Sequence, residues 1–204
     1  MQLTERTGFG HGSKAEQRVF QLLKTVVPKP FIVLPHQPTT LFGKGIKASF
    51  SSSDEWRWKT MNVDFTVALE TENSSYLYLM CIEYDGYTKA SSVGSRLCML
   101  PSEISLDDAT TAQSRRYKFG LKLSAMYSLG YPIKIINDDV AHTRRSMQTL
   151  LYDMAMEGCQ MSPEPQREPY VELAKHIMQQ AKEDLSPSVV EFNKEGQVRY
   201  VGHR

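Results

Sequence analysis

Cysteine is scarce in this chain, and long apolar runs are absent. The 204 residues include three cysteines, Cys81, Cys98 and Cys159, and no two of them have the CxxC spacing of a zinc-binding pair. An odd, sparse count argues against a disulfide framework. The N-terminal residues lack the apolar core of a secretory signal, and no apolar run approaches the ~20 residues that cross a membrane. We therefore expect a cytoplasmic protein with no membrane partner.

A net charge of one sign is also missing, because 24 basic and 23 acidic residues give a formal charge of +1. No global basic field therefore indicates a nucleic-acid partner. The charges are nevertheless uneven: residues 62–109 contain two basic and eight acidic residues, and residues 110–136 contain five basic residues and no acidic one. This arrangement favours a carboxylate metal site beside a phosphate-binding surface, although solvated faces with chance clustering would look the same.

Hydrophobic periodicity predicts a mixed α/β fold. Ser13 and Glu16 form an S-x-x-E capping box that begins a first helix, which Pro28 ends. Strands are predicted at 31–34, 61–69, 76–84 and 133–136, helices at 110–129, 141–157 and 168–183, and a terminal hairpin within 189–201. Residues 38–59, rich in Gly and Ser, are predicted to be a long loop. This order predicts a mixed sheet with helices on its faces.

Pairing of the strands also follows from the order of elements. The second and third strands are separated by a short polar turn, so we expect an antiparallel hairpin. The helix that ends near Gly130 runs directly into the strand 133–136. A helix followed at once by a strand is an α/β crossover, which predicts a parallel partner for that strand.

Three carboxylates stand on the second and third predicted strands. Asp64 lies within one strand, and Glu83 and Asp85 follow the apolar run of the next. Residues i and i+2 share a face, so Glu83 and Asp85 would lie side by side, joined by Asp64 from the paired strand. Mg²⁺ or Mn²⁺ would relieve the repulsion in such a group. The cluster therefore predicts a metal site for phosphodiester hydrolysis; the alternative is a set of strand-end, turn and exposed residues.

Three short motifs stand around this cluster: Asn62-Val63-Asp64-Phe65, Ile82-Glu83-Tyr84-Asp85-Gly86 and Gly130-Tyr131-Pro132-Ile133-Lys134-Ile135-Ile136. They are similar to the motifs of the PD-(D/E)xK nuclease superfamily. Over residues 13–137 the chain resembles the branch near the very-short-patch repair endonucleases, in which E-x-D replaces the usual motif. The resemblance implies a restriction-endonuclease-like mixed sheet within residues 1–140, followed by a helical extension with a terminal hairpin at 141–204.

The resemblance also implies roles for single acidic residues. Asp64 and Glu83 would be metal ligands. Asp85 stands where most of the superfamily has a lysine, and it would join the ligands as in the E-x-D branch. Glu16, in the first helix, would be an accessory metal ligand, unless it serves only as the capping-box partner.

A lysine from the basic helix would then replace the missing motif lysine. Lys122 lies eight residues before Gly130, where related sequences place a helical lysine, and Lys118 lies one turn earlier. Either could instead be a solvated helix lysine. The aspartate that usually precedes this lysine by three positions is Phe119 here, which is a departure from the family pattern.

Basic side chains near aromatic ones predict contacts with DNA. Arg115, Arg116 and Lys118 form a cluster without acidic neighbours, and Arg57 and Lys59 alternate with tryptophans. Both mixtures are typical of nucleic-acid surfaces, although the tryptophans could equally pack as a lid. The five histidines are scattered without ligand spacing, so the sequence assigns them no role.

Together these features predict a Mg²⁺- or Mn²⁺-dependent endonuclease that hydrolyses DNA phosphodiester bonds. One alternative is a catalytically degenerate module that binds nucleic acid or a protein partner, which Phe119 and the missing motif lysine favour. Another is a subunit of a larger DNA-processing assembly or a homo-oligomer. In that case the helices at 141–157 and 168–183 would dock through residues such as Met147, Leu151 and Met154 rather than pack in the core.

Overall fold

A computed structural model describes residues 13–43, 52–71, 75–85, 120–136, 143–184, 190–192 and 198–200. The helices are α1 (Lys14–Val26), α2 (Ser52–Thr60), α3 (residues 120–129), α4 (Arg144–Met161) and α5 (Glu168–Asp184). The strands are β1 (Phe31–Pro38), β2 (Asn62–Glu70), β3 (Tyr76–Tyr84), β4 (Ile133–Ile136), β5 (Val190–Phe192) and β6 (Val198–Tyr200). Short 3₁₀ turns occupy Thr39–Leu41 and Glu164–Gln166. The predicted helical residues 110–119 lie outside the described residues.

Four strands form one mixed sheet in the order β1-β2-β3-β4. β1 and β3 both pair antiparallel with β2, and β4 pairs parallel with β3. The predicted hairpin and the predicted parallel crossover are therefore confirmed. Gly130 ends α3 with φ of 86°, a left-handed conformation that glycine adopts without strain, so the chain turns directly into β4. β5 and β6 form a separate antiparallel pair, as expected for the terminal hairpin.

Helices cover both faces of this sheet. On one face α1, α4 and α5 bury a cluster that includes Phe20, Leu23, Phe65 and Ile82. On the other face α2 and α3 pack over the sheet through Trp58, Val63, Cys81, Leu121, Ala125, Met126 and Ile133. The chain is therefore a mixed α/β protein with a four-stranded sheet flanked by helices. Among the described residues, no helix combines the length and the apolar character that crossing a membrane requires.

The prediction of an uninterrupted loop at 38–59 was wrong, because α2 lies within it. Among the described side chains of α2, Trp58 is the one that is fully buried, and its indole N–H donates to the Gly43 carbonyl at 3.3 Å. The Thr39 hydroxyl donates to the Trp58 carbonyl and to the Met61 carbonyl. One buried residue gives no helical periodicity, which is why the sequence pattern missed this helix.

The C-terminal helices share the core of the sheet. Met147, Leu151 and Met154 of α4 are fully buried in the cluster that also contains α1, so core packing accounts for them. α4 and α5 approach closely at Gly158, where an added Cβ would lie 2.2 Å from a ring carbon of Tyr170. The Tyr170 hydroxyl donates to the Leu79 carbonyl of β3 at 2.6 Å and ties α5 to the sheet.

Candidate active site

Two of the predicted carboxylates meet on neighbouring strands. Phe65 of β2 lies opposite Ile82 of β3, and the next step of this antiparallel register brings Asp64 opposite Glu83. The backbone N–H of Tyr84 donates to Asp64 Oδ2 at 2.9 Å and fixes that carboxylate between the strands. The arrangement follows from the alternation of β2, which places Phe65 in one core and turns Asp64 to the other face.

Glu83 is held by a lysine from the overlying helix. Lys122 Nζ lies 2.5 Å from Glu83 Oε2, and both residues are buried, with 9% and 1% of their surface exposed. Leu121, Ala125 and Met126 anchor α3 on the sheet and so lay Lys122 against it. The structure thus brings a lysine to the carboxylate pair from α3. Asp85 is the first residue after β3.

Burial and mutual repulsion dominate the electrostatics of the pair. The pKa of Glu83 is raised to about 7, first by burial and then by the charge of Asp64, although the Lys122 ammonium acts in the opposite direction. The pKa of Asp64 is also raised, mainly by burial, against the lowering effects of Lys122 and of the Tyr84 N–H. One lysine therefore does not compensate two buried carboxylates, and a further cation would stabilise both.

This imbalance predicts a pH-dependent stability for the metal-free protein. The folded pKa of Glu83 lies above its ordinary value of 4.5, so the protonated carboxyl favours the folded state. The resulting stability is complete below that ordinary value and is lost as the pH rises through about 7. The loss amounts to about 3 kcal/mol of unfolding free energy, and Asp64 acts in the same direction.

Urea unfolding of the metal-free protein over this pH interval measures the loss. The matched variant is Glu83→Gln, which cannot titrate at this position and should give a flatter curve than the parent. A parent protein that gains stability as the pH rises between these limits would contradict the assignment of a raised pKa to Glu83.

Asp85 lies at the end of the same strand but contacts a different element. It is 5% exposed, and its backbone N–H donates to the Ile136 carbonyl of β4 at 2.7 Å. In the part of the chain that the structure describes, no three His, Cys, Asp or Glu side chains stand close enough to form a complete metal-ligand group. The predicted set of Asp64, Glu83 and Asp85 is therefore not assembled there, and the pair of Asp64 and Glu83 is its centre.

Glu16 of α1 is the capping-box partner that its sequence context suggested. Its carboxylate accepts the backbone N–H of Ser13 at 2.6 Å, and the Ser13 hydroxyl accepts the N–H of Glu16 at 3.2 Å, which completes the capping box. Its charge also raises the pKa of Asp64. The start of α1 therefore lies close enough to the carboxylate pair for Glu16 to act on it electrostatically.

A single substitution distinguishes the capping role of Glu16 from a role in binding a cation. Glu16→Gln retains a side-chain acceptor for the capping box, so unfolding free energy should change by less than roughly 0.5 kcal/mol. If Glu16 supports a bound cation, Mn²⁺ affinity should fall about tenfold. The control is Ser13→Ala, which removes the cap and keeps the Glu16 charge. Unchanged Mn²⁺ affinity in Glu16→Gln would limit Glu16 to capping.

Of the residues predicted to contact nucleic acid, Arg57 and Lys59 of α2 lie in the part of the chain that the structure describes. Arg57 and Lys59 are exposed, and Lys59 forms an ion pair with Glu55 at 2.7 Å. Trp56 is 66% exposed, whereas Trp58 is fully buried and belongs to the core. The lid interpretation therefore holds for Trp58 and not for Trp56. Arg115, Arg116 and Lys118 lie outside the described residues.

Sequence reasoning missed one residue beside the pair. His36 lies in β1 next to β2, and its charge lowers the pKa of Asp64. The strand was predicted to end at residue 34, because Pro35 and Pro38 weaken the strand pattern. A strand extended to Pro38 would have brought His36 opposite β2 and marked it as a neighbour of Asp64.

Three kinds of comparison with known proteins gave no match for this chain. No protein-family model matches the chain, and neither the curated proteins nor the solved structures contain a significant match.

Proposed function

We propose that this chain is a metal-dependent endonuclease of the PD-(D/E)xK type that hydrolyses DNA phosphodiester bonds on a restriction-endonuclease-like core. One observation carries the proposal: Glu83 is buried between Asp64 and Lys122, where two β-strands and a helix converge. Two carboxylates can hold a divalent cation, and a lysine beside them can stabilise phosphate charge, which suits metal-assisted phosphodiester hydrolysis.

The residues present suit a hard divalent cation. Glu83 Oε1 is buried and accepts no hydrogen bond from the described side chains or backbone, while Oε2 accepts from Lys122. Asp64 and Glu83 would hold Mg²⁺ or Mn²⁺, and Glu16, which acts electrostatically on Asp64, would be an accessory carboxylate. Water and substrate oxygens would complete the coordination, as is common for Mg²⁺. When bound, the cation would lower the pKa of a coordinated water and stabilise charge on a phosphoryl oxygen.

The protein's own groups then supply orientation and charge. The Tyr84 N–H holds Asp64 in place, and the Lys122 ammonium keeps Glu83 oriented. The ammonium would also stabilise the negative charge that develops on a scissile phosphate bound at the pair. Arg57 and Lys59 on α2 would bind backbone phosphates, as would Arg115, Arg116 and Lys118.

The proposal is tested with supercoiled plasmid and a single-stranded DNA circle, each incubated with Mn²⁺, Mg²⁺ or EDTA. Cleavage that requires the metal supports the endonuclease and identifies its substrate form. Intact DNA of both kinds, with folded protein and metal present, would reject an independently active nuclease.

A degenerate binding module is the second candidate, and a specific contact favours it. The Lys122 ammonium already donates a hydrogen bond to Glu83 Oε2. Phe119 also stands where related nucleases have an aspartate three residues before the helical lysine. A module of this kind would act on DNA or with a protein partner, as a subunit of a larger assembly or as a homo-oligomer. It would bind DNA in EDTA as tightly as in Mn²⁺ and would leave the DNA uncut.

A further inference from the structure

The backbone of β1 departs from strand geometry at one residue beside the site. Pro35 pairs with Phe65 and Gln37 pairs with Val63, so His36 between them lies opposite Asp64. His36 has φ of 49°, in the left-handed region that side chains other than glycine rarely adopt. A non-glycine residue is held in that region only where its surroundings impose it, and such residues cluster at functional sites.

The surroundings of His36 are those of the carboxylate pair. Asp64 interacts electrostatically with Glu16 from α1, with His36 from β1, with Glu83 from β3 and with Lys122 from α3. His36 lies beside Asp64 on the β1 side, and Lys122 approaches from the α3 side. Asp64 is thus influenced by residues of α1, β1, β3 and α3, and His36 is the residue that the edge strand β1 places there.

We infer that His36 is a positioning residue of this site, whose left-handed backbone keeps the imidazole beside Asp64 and so supports that carboxylate as a ligand for a divalent cation. The inference rests on the proposed function. Outer-sphere partners of ligating carboxylates fix their orientation, and their loss commonly weakens metal binding by roughly 10- to 100-fold.

Replacing His36 with glycine or with asparagine distinguishes the role of the imidazole from that of the backbone conformation. His36→Gly accepts the positive φ without strain, so its thermal stability should equal or exceed that of the parent. Its Mn²⁺ affinity, measured by electron paramagnetic resonance of free Mn²⁺ with the full chain, should fall about tenfold. His36→Asn tolerates the same backbone and keeps a polar side chain, so its affinity should lie between the two. Gln37→Ala, the next residue of β1, is the control and should match the parent.

The outcomes distinguish this inference from the proposed function. Equal Mn²⁺ affinity in the parent and in His36→Gly overturns the role of His36 and leaves the metal site standing. A parent protein that does not bind Mn²⁺ overturns both. Loss of thermal stability together with affinity in both the glycine and the asparagine variants would assign His36 a structural role and would also overturn the inference.

Discussion

Metal-dependent DNA cleavage is expected to be lost when Glu83 is replaced by glutamine. The amide matches the carboxylate in size and can still accept a hydrogen bond from Lys122, so the fold should persist. It cannot supply the negative charge that holds a divalent cation beside Asp64. The loss should exceed the roughly 10- to 100-fold effect that is typical of outer-sphere partners of a metal ligand, and we expect about 10³-fold.

Plasmid cleavage in Mn²⁺, together with the thermal unfolding of each variant, measures this effect. Glu70→Gln is the matched control, because Glu70 is an exposed carboxylate at the far end of β2. It should cleave as the parent does. A Glu83→Gln variant that is folded and cleaves within about twofold of the parent would remove Glu83 from the active site.

Replacing Lys122 with methionine should have the largest effect on stability. The substitution leaves Glu83 buried without its cation, and breaking a buried ion pair commonly costs about 3–5 kcal/mol. Because the pKa of Glu83 is already raised to about 7, the carboxyl can be protonated in acid. We therefore expect a loss of about 3 kcal/mol at about pH 8 and a much smaller loss at about pH 5.5. Cleavage should fall about 10²-fold, because positive charge beside the scissile phosphate is lost.

Lys134→Met is the control for this substitution. Lys134 also forms an ion pair, with Glu157 at 2.8 Å, but its side chain is 39% exposed. An exposed pair contributes at most about 1 kcal/mol, so Lys134→Met should change little at either pH. The double variant Lys122→Met with Glu83→Gln should recover much of the stability. Equal destabilisation at acid and alkaline pH would show that Lys122 stabilises the fold by packing alone.

β3 and β4 were predictable because each begins with, or consists mostly of, apolar residues between clear boundaries. Tyr76–Ile82 is an unbroken apolar run followed by Glu83, and Ile133–Ile136 is a short, mostly apolar run that begins soon after Gly130. Both have the bounds expected for strands buried by helices on two faces. The position of Asp64 beside Glu83 followed from the same alternation, because the hairpin leaves little freedom of register.

Other parts of the site depend on contacts that are distant in sequence. The helical spacing of Lys122 fits a solvated lysine as well as a buried one, and only the docking of α3 on β3 decides between them. The left-handed backbone of His36 could not be predicted from the sequence, because a histidine within a strand pattern is expected to have extended geometry. α2 escaped detection because, among its described side chains, Trp58 is the one that is fully buried. α4 reaches the core through α1 and β3, and α5 packs on α4 and bonds to β3 through Tyr170, and no local pattern contains these contacts.

Titration of the purified chain with Mn²⁺ at about pH 8, where the carboxylates are ionised, tests the central claim most directly when the parent is compared with Asp64→Asn. Lys122 alone does not offset the burial and mutual repulsion of the two carboxylates, so the parent should bind the ion and the variant should lose most of its affinity. Bound Mn²⁺ should also raise the unfolding temperature of the parent. A parent that does not bind Mn²⁺, or an Asp64→Asn variant that binds it equally well, would contradict the account.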